Sequence, residues 1–264
     1  MPFSIPPAAL GRRIGLPDCP LIIDVRTDED WAADPRLIPG SIRRSHLDVA
    51  AWAPGLRGQR AIISCQKGLK LSEGVAAWLR HAGAGARVLE GGFLGWIEAG
   101  QPLLRTEHLP VASGSVWVTR QRPKVDRIAC PWLIRRFVDR EAVFMFVAAD
   151  QVAAVADRFG AIPFDIDGVF WSHRGETCTF DTMLDAFGLV TPALARLALL
   201  VRGADTARLD LAPQCAGLLA ASLGLSRLHA DDLAQLEAGL ALYDAFHLWC
   251  RDAVEETHNW PTRA

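Results

Sequence analysis

The chain has 264 residues, of which 50% are hydrophobic and 22% are charged, a composition typical of a soluble globular protein long enough for two domains. Its formal net charge of −2 provides no overall basic field, so nucleic acid is not an expected partner. The longest apolar stretch, residues 142–149, is much shorter than a membrane span, and prolines interrupt the N-terminal residues where a signal peptide would have its apolar core. We therefore expect no association with a membrane.

The cysteines of the chain show no Cys-x-x-Cys pair and no spacing typical of a disulfide framework. They lie at positions 19, 65, 130, 178, 215 and 250. Reduced thiols in a chain of this size are typical of the cytoplasm, which is the expected location. Free thiols are therefore available for chemistry.

Short apolar strands alternate with helical segments in the first half of the chain. The predicted strands are 21–25, 61–64 and 88–89, and the predicted helices are 72–82 and 93–99. This alternation indicates right-handed βαβ units, and it predicts an α/β domain with a parallel sheet over residues 1–105. Residues 106–114 are polar, contain Pro and Gly, and lack periodicity, so we expect a linker there.

The second half, residues 115–264, has the pattern of a helix-rich α+β domain. The predicted strands are 115–119 and 143–147, and the predicted helices are 131–138, 150–159, 180–187, 192–202, 212–223 and 229–251. The two halves therefore differ in fold class.

Cys65 directly follows the second predicted strand, and open α/β sheets place their active sites at the carboxyl ends of their strands. The segment between Cys65 and the next helix contains Gly68 and two lysines, Lys67 and Lys70. A loop of this length can present successive backbone N–H groups to the sulfur, and the lysines and the helix N-terminus favour a thiolate. The pattern predicts a nucleophile at Cys65; the alternative is a buried structural cysteine.

Four motifs in residues 1–104 together resemble the rhodanese family. They are Asp24-Val25-Arg26, Ile38-Pro39-Gly40-Ser41-Ile42, Cys65 with its loop, and Gly91-Gly92-Phe93 through Trp96. The resemblance implies a sulfurtransferase without a cofactor, which forms a persulfide on Cys65 from a small anionic donor such as thiosulfate and passes the sulfur to a thiol acceptor. It also implies that Asp24 and Arg26 brace the active-site loop.

The loop departs from the commonest rhodanese pattern, which carries an arginine near its end. In this chain Lys67 or Lys70 must supply that charge, without the bidentate geometry of a guanidinium. The related phosphatases need an arginine at the sixth position after the cysteine, where this chain has Leu71, so phosphatase activity is not expected.

Residues 115–252 resemble the ChrB-type chromate-resistance domain. The motifs that carry this resemblance are residues 126–136, 173–181 and 201–206. The resemblance implies a link to chromate resistance, and some members of the family act as chromate-responsive regulators. Fusion to a rhodanese domain recurs in that family, although the association names no reaction.

Several possible metal ligands lie in polar turns of the second half. His173 and Glu176 share a glycine-containing loop with Cys178, and Asp126 and Asp205 lie in other turns. Imidazole and carboxylate groups from separate loops are ligands that suit Zn or Fe, so we predict a metal site at His173, Glu176, Asp205 and Asp126. The alternative is that His173 is a surface loop residue and that Glu176 and Asp181 merely favour the N-terminus of the following helix.

We interpret Cys130 as a core cysteine. The alternative is a redox-active thiol of low pKa, because Pro131 is expected to be the first residue of a helix, which places the sulfur near a helix N-terminus. Basic residues lie on both sides of Cys130. This basic segment could bind an oxyanion such as chromate, contact nucleic acid, or form a solvated surface. Its members are Arg120, Arg122, Lys124, Arg127, Arg135, Arg136 and Arg140.

Other notable side chains are predicted to pack. His247 shares a helical stripe with Leu240 and Tyr243, which indicates a buried residue. The tryptophans at 117, 132, 171, 249 and 260 are interpreted as core or interface residues.

Two hypotheses for the whole protein follow. The first is a sulfurtransferase that uses Cys65. The second is a metal- or oxyanion-sensing regulatory protein of a chromate-resistance system, in which the rhodanese domain is a redox module.

Overall fold

The first half of the chain folds around a parallel five-stranded sheet. The computed structural model describes residues 3–111 and 113–256. The strands are β1 (Ser4–Ile5), β2 (Leu21–Asp24), β3 (Ser41–Arg43), β4 (Arg60–Ser64) and β5 (Gly85–Leu89), in the order β1-β5-β4-β2-β3. All of their pairings are parallel, which confirms the predicted α/β architecture.

The helices of this half are short except for one. They are α1 (Pro7–Gly11), α2 (Asp28–Ala33), α3 (Val49–Trp52), α4 (Lys70–His81) and α5 (Gly92–Glu98). Both faces of the sheet are covered, because Ile22 and Ile23 on β2, and Ile62 and Ile63 on β4, are all buried although they alternate in direction. The two central strands therefore have the continuous apolar character that the sequence indicated.

The second half contains a small parallel sheet and long helices, which confirms the helix-rich prediction. Its strands are β6 (Val116–Arg120), β7 (Val143–Val147) and β8 (Ile162–Pro163), in the order β7-β6-β8. Its helices are α6 (Asp126–Leu133), α7 (Val152–Phe159), α8 (Thr179–Phe187), α9 (Pro192–Asp205), α10 (Gln214–Leu228) and α11 (Asp232–Leu248). Two π-helical turns, Ile134–Val138 and Trp249–Ala253, extend α6 and α11.

The start of α6 corrects the sequence prediction. The helix begins at Asp126, so Pro131 lies inside it rather than at its first position. An internal proline costs one helical hydrogen bond. Burial of nearly every side chain from Ile128 to Ile134 offsets that cost, because tertiary packing decides the extent of a short helix more than local propensity does.

One of the hydrophobic clusters of the protein extends across both halves, and a second lies within the first half. Leu10, Trp96 and Leu104 of the first half belong to the same buried cluster as Trp117 and Phe137 of the second. The backbone crosses between them as well: the amide of Arg105 donates to the carbonyl of Phe187 at 2.9 Å. The domain bounds 1–105 and 115–264 stay a prediction, and the segment between them joins two packed bodies.

The residues predicted to pack do so where the structure describes them. His247 is 4% exposed and lies against Trp132 and Phe137, and burial lowers the pKa of its imidazole to about 4. Trp117, Trp132 and Trp171 are buried and Trp249 packs against the core, whereas Trp260 lies outside the described residues. Within the described part of the chain, no helix is long and apolar enough to cross a membrane.

The contact between the halves at Gly15 can be tested with a matched pair of glycines. Gly15 and Gly58 have similar φ angles of +83° and +77°, but a Cβ on Gly15 would lie 2.5 Å from Cζ of Phe137, whereas a Cβ on Gly58 meets nothing within 4 Å. Gly58→Ala should cost about 1 kcal/mol through backbone strain alone. Gly15→Ala should cost about 2 kcal/mol more, because it also overpacks the interface. Urea unfolding of both variants measures the difference; equal losses would contradict the shared core at this point.

Candidate functional site

Cys65 is the first residue after β4 and is 5% exposed. Its Sγ donates a hydrogen bond to Oγ of Ser72 at 3.2 Å, and the Ser72 hydroxyl donates in turn to the carbonyl of Leu69 at 2.9 Å. Ser72 lies in the first turn of α4, so the thiol is fixed against the N-terminal end of the longest helix in this half. The structure thus places Cys65 at the strand–loop–helix junction that the sequence indicated.

The loop after Cys65 is held against the start of α5. The amides of Phe93 and Leu94 donate to the carbonyls of Cys65 and Gln66 at 2.9 and 3.0 Å. Gly92 has a φ of +58°, and a Cβ at this position would overlap the carbonyl oxygen of Cys65 and the amide of Gly68. Only glycine permits both the left-handed backbone and this close approach.

The amides of the loop are available to a ligand. Within the described residues, the N–H groups of positions 66–69 have no hydrogen-bond acceptor. Lys67 lies in this segment and Lys70 directly follows it, and both have exposed side chains. Free amides beside a helix N-terminus, with two cations nearby, form a local environment that favours an anion.

Asp24 and Arg26 form a buried ion pair beside the loop. Nε of Arg26 donates to Oδ2 of Asp24 at 2.8 Å, and the two side chains are 2% and 4% exposed, respectively. The same guanidinium donates to the carbonyls of Asp34 and Arg36 and lies 3.7 Å above the ring of Phe93, whose amide holds the carbonyl of Cys65. This chain of contacts connects the pair to the loop; its supporting role in activity stays a prediction.

The second half brings together three of the four predicted metal ligands. Nε2 of His173 lies 3.5 Å from Oδ2 of Asp126 and 3.4 Å from Oδ2 of Asp205. One donor atom from each of these three residues lies within 4.8 Å of the others. They come from the start of α6, the loop before α8 and the end of α9.

Glu176 does not join this cluster. Its side chain is 92% exposed and lies 3.9 Å from Nη1 of Arg208. Glu176 occupies a tight turn in which Arg174 and Thr177 exchange two backbone hydrogen bonds. Glu176 was predicted as a ligand because it shares a loop with His173. The turn, however, holds its side chain away from the cluster.

Asp165 is a member of the cluster that sequence reasoning missed. Its Oδ1 lies 3.2 Å from Nε2 of His173 and accepts a hydrogen bond from Oγ1 of Thr179 at 3.0 Å. Its Oδ2 lies 3.1 Å from Nε of Arg127. The available signal was an acidic residue in a polar turn just after a strand, but β8 has only two residues and was not predicted.

Asp126 is tied to the N-terminus of α8. Its two carboxylate oxygens accept hydrogen bonds from the amides of Thr179 and Phe180 at 2.7 and 3.0 Å. Asp181 caps the same helix, as the alternative reading of this region proposed, and Arg202 binds its carboxylate through two nitrogens. The first turn of α8 thus orients two carboxylates at once.

Charge is concentrated at this cluster. Contacts with the carboxylates of Asp126 and Asp165 raise the pKa of His173 to about 10. Burial, followed by the charges of Asp126 and Asp165, raises the pKa of Asp205 to about 7. Both shifts show that the three carboxylates favour bound positive charge, whether a proton or another cation.

Of the two interpretations of Cys130, the low-pKa thiol, which the sequence did not favour, is wrong. Cys130 lies in the middle of α6, and burial, reinforced by the charge of Asp126, raises the pKa of its thiol well above the usual value. The thiol donates to Oδ1 of Asp126 at 3.4 Å. The interpretation of Cys130 as a core cysteine is the correct one.

The basic segment between residues 120 and 140 is divided among separate partners. Arg127 contacts Asp165, Arg136 binds both oxygens of Asp244, and Arg140 donates to the carbonyl of Cys19. Arg122 and Arg135 contact the end of α10 and Glu237 of α11. The arginines are thus used within the fold, and oxyanion binding by this segment stays an untested prediction.

Comparison with known proteins agrees with this division of the chain. Residues 7–99 match the family model of the rhodanese-like domain, and residues 117–250 match the model of the ChrB C-terminal domain. Protein ChrB of Cupriavidus metallidurans is 37% identical over 131 residues, which are 49% of this chain and 39% of that protein. This chain thus spans less than half of the length of that relative.

Among solved structures, a rhodanese-related protein from Thermoplasma volcanium is 25% identical, with a TM-score of 0.33, and covers 38% of this chain and 95% of its own. The thiosulfate sulfurtransferase of Pseudomonas aeruginosa is also 25% identical, with a TM-score of 0.34, over 41% of this chain and 20% of its own. Because these TM-scores are low, the assignment rests on the two family models. The ChrB model covers half of the sequence, and the chain therefore belongs to the ChrB C-terminal domain family, with a rhodanese-like domain at its N-terminal end.

Proposed function

We propose that this protein is a rhodanese-type sulfurtransferase that carries sulfur as a persulfide on Cys65. The observation that supports this most strongly is the set of free amides at residues 66–69, between the Cys65 thiol and the N-terminal turn of α4. A persulfide is an anion at neutral pH and needs such donors, whereas a structural cysteine does not.

The first step is attack of the Cys65 thiolate on the outer sulfur of a donor such as thiosulfate. A bond forms between Sγ and the outer sulfur, the sulfur–sulfur bond of thiosulfate breaks, and sulfite leaves with the electron pair. The thiol proton goes to solvent before attack. The loop amides then stabilise the negative charge of the persulfide.

The second step returns Cys65 to its starting state. An acceptor thiolate or cyanide attacks the outer sulfur of the persulfide, the bond to Sγ breaks, and Sγ leaves with its electron pair as the thiolate. Because Sγ is the leaving group in this step, donors that stabilise negative charge on Sγ assist its departure.

The lysines give the loop its charge. Lys67 and Lys70 are two of the three lysines in the chain, and both are exposed beside the loop. An exposed ammonium attracts a doubly negative donor from solution without the fixed geometry that an arginine would impose. We infer that small anionic donors bind here and that the acceptor approaches from the same open side.

The nucleophile is tested by replacing it. After incubation with thiosulfate, the wild-type protein should gain one sulfur atom, on Cys65, as measured by intact mass and peptide mapping. Cys65→Ser should lose the adduct and lower thiocyanate formation from thiosulfate and cyanide by about 1,000-fold or more, because the covalent intermediate cannot form.

Cys19→Ser is the matched control for this test. Cys19 is the least buried cysteine, and burial raises its pKa to about 11, so its removal should leave the adduct and the activity unchanged. An adduct retained in Cys65→Ser, or mapped to Cys19, would contradict the assignment.

The loop charges are tested in the steady state. Lys67→Ala and Lys70→Ala should each raise KM for thiosulfate about 3- to 10-fold, and the double variant should do more, because both charges attract the same dianion. Added salt should have the same effect on the wild type. Lys124→Ala, the remaining exposed lysine, is the control; if the double variant behaved like it, the amides and the helix N-terminus would suffice for donor binding.

The loop geometry is tested by two glycines at opposite ends of α5. Gly92 and Gly100 have φ angles of +58° and +64°, but only a Cβ on Gly92 would overlap the Cys65 loop, whereas Gly100 has nothing within 4 Å. Gly100→Ala should cost about 1 kcal/mol through backbone strain alone, and Gly92→Ala should cost more because its Cβ also overlaps the loop backbone. Only Gly92→Ala should also lower thiosulfate turnover, by about tenfold or more, since it displaces the amides from the sulfur. Equal turnover in the two variants would show that the position of the loop does not matter.

A further inference from the structure

We propose that the second half of the chain contains a binding site for one divalent transition-metal ion, with Nε2 of His173 and carboxylate oxygens of Asp126 and Asp205 as its ligands. This site lies outside the Cys65 loop and goes beyond the sulfurtransferase function. Asp165 is a positioning residue beside it.

The distances fit ligands around an ion better than hydrogen bonds. Nε2 of His173 lies 3.4 Å from Oδ2 of Asp205 and 3.5 Å from Oδ2 of Asp126, both longer than a normal N–H···O bond of about 2.7–3.2 Å. Donor atoms at about 2.0–2.1 Å from a tetrahedral metal ion are about 3.4 Å from one another. The two distances from Nε2 of His173 to the carboxylate oxygens thus match the ligand-to-ligand distances around a tetrahedral ion.

The hydrogen-bond inventory leaves the cluster short of donors. The single N–H that Nε2 can carry faces three carboxylate oxygens, from Asp126, Asp165 and Asp205. Asp165 has other partners in Arg127 and Thr179. Among the described residues, His173 is the only polar partner of Oδ2 of Asp205. The negative charge on this oxygen is therefore the least balanced by groups of the protein.

The charges point to a cation. Asp126 is 1% exposed and the side chain of Asp205 is 21% exposed, so neither carboxylate is well hydrated. No lysine or arginine contacts either carboxylate among the described residues, since Arg120 and Arg127 both pair with Asp165. A divalent ion would compensate both carboxylates at once, which the single charge of a histidine cannot do.

The ligands are held in place before an ion arrives. The two amides at the start of α8 fix the Asp126 carboxylate, and the amide of Asp126 donates to Oδ1 of Asp205 at 3.3 Å. Asp165, held by Arg127 and Thr179, lies 3.2 Å from His173 and limits where the imidazole can lie. Such outer contacts orient ligands in protein metal sites.

The ligand chemistry selects the class of ion. One imidazole nitrogen with two carboxylate oxygens suits Zn²⁺, Fe²⁺ or Mn²⁺, whereas Ca²⁺ and Mg²⁺ prefer all-oxygen shells. The nearby thiols are not ligands, because Cys130 and Cys178 donate to Asp126 and Asp181. His173 is 41% exposed, so the remaining coordination positions face solvent and are open to water or to a small anion.

The test is a titration of the full-length protein after removal of metal with EDTA. Zn²⁺, Mn²⁺ and, under anaerobic conditions, Fe²⁺ are added separately and followed by calorimetry and by metal analysis after desalting. We expect about one equivalent of at least one of these ions to bind, with a rise in Tm of about 5 °C. Protein that binds none of the three ions and gains no thermal stability would overturn the proposal.

Variants locate the ion. His173→Ala and Asp205→Asn should each weaken binding about 100-fold or more while the protein stays folded by circular dichroism, because each removes a ligand. Glu176→Gln, three residues from His173 with an exposed side chain, should bind as the wild type does. Cys65→Ser should also bind normally, which separates this site from the reactive thiol.

The variants also define the contrary result. Unchanged binding in His173→Ala or Asp205→Asn, or loss of binding in Cys65→Ser, would place the ion elsewhere and overturn the assignment. If either ligand variant failed to fold, His173→Gln supplies the same test with a side chain of similar polarity.

Discussion

Parallel pairing of β5, β4 and β2 places the carboxyl ends of three adjacent strands along one edge of the sheet. Cys65 follows the middle strand, with Gly91-Gly92 after one neighbour and the Asp24–Arg26 pair at the end of the other. The segment after β5 holds the Cys65 carbonyl through the amide of Phe93. The segment after β2 supplies the buried guanidinium of Arg26, which packs on the Phe93 ring. The start of α5 binds the carbonyls of Cys65 and Gln66, whereas the N–H groups of residues 66–69 have no acceptor among the described residues.

In the second half, the N-terminal end of a helix positions the candidate site, whereas in the first half the carboxyl edge of a sheet does so. The first amides of α8 hold Asp126, and the last residue of α8, Phe187, accepts a hydrogen bond from Arg105, the last residue of the first half. One helix therefore joins the acidic cluster to the junction between the halves. The shared hydrophobic cluster keeps these elements in fixed relation, so the Cys65 loop and the acidic cluster are two separate candidate sites.

The Cys65 site was predictable because its determinants are contiguous in sequence: an apolar strand, the cysteine, a glycine and two lysines. The cluster at His173 depends on three distant segments, so residue type suggested Asp126 and Asp205 but could not separate Glu176 from Asp165. The Glu176 side chain points away from the cluster because of a tight turn. Asp165 reaches the cluster because it follows β8, a strand of only two residues that the sequence pattern does not reveal. β1 and β3 were missed for a similar reason, since two or three residues carry no periodicity and pair only because longer strands are present.

The central claim is that the loop amides after Cys65 stabilise sulfur bound to Sγ. A crystal structure of the protein after incubation with thiosulfate tests it directly. The account predicts an additional sulfur atom about 2.05 Å from Sγ of Cys65, with amides of residues 66–69 within hydrogen-bond distance of it. A Cys65 that stays unmodified under these conditions, or a bound sulfur that points away from the loop amides, would contradict the account.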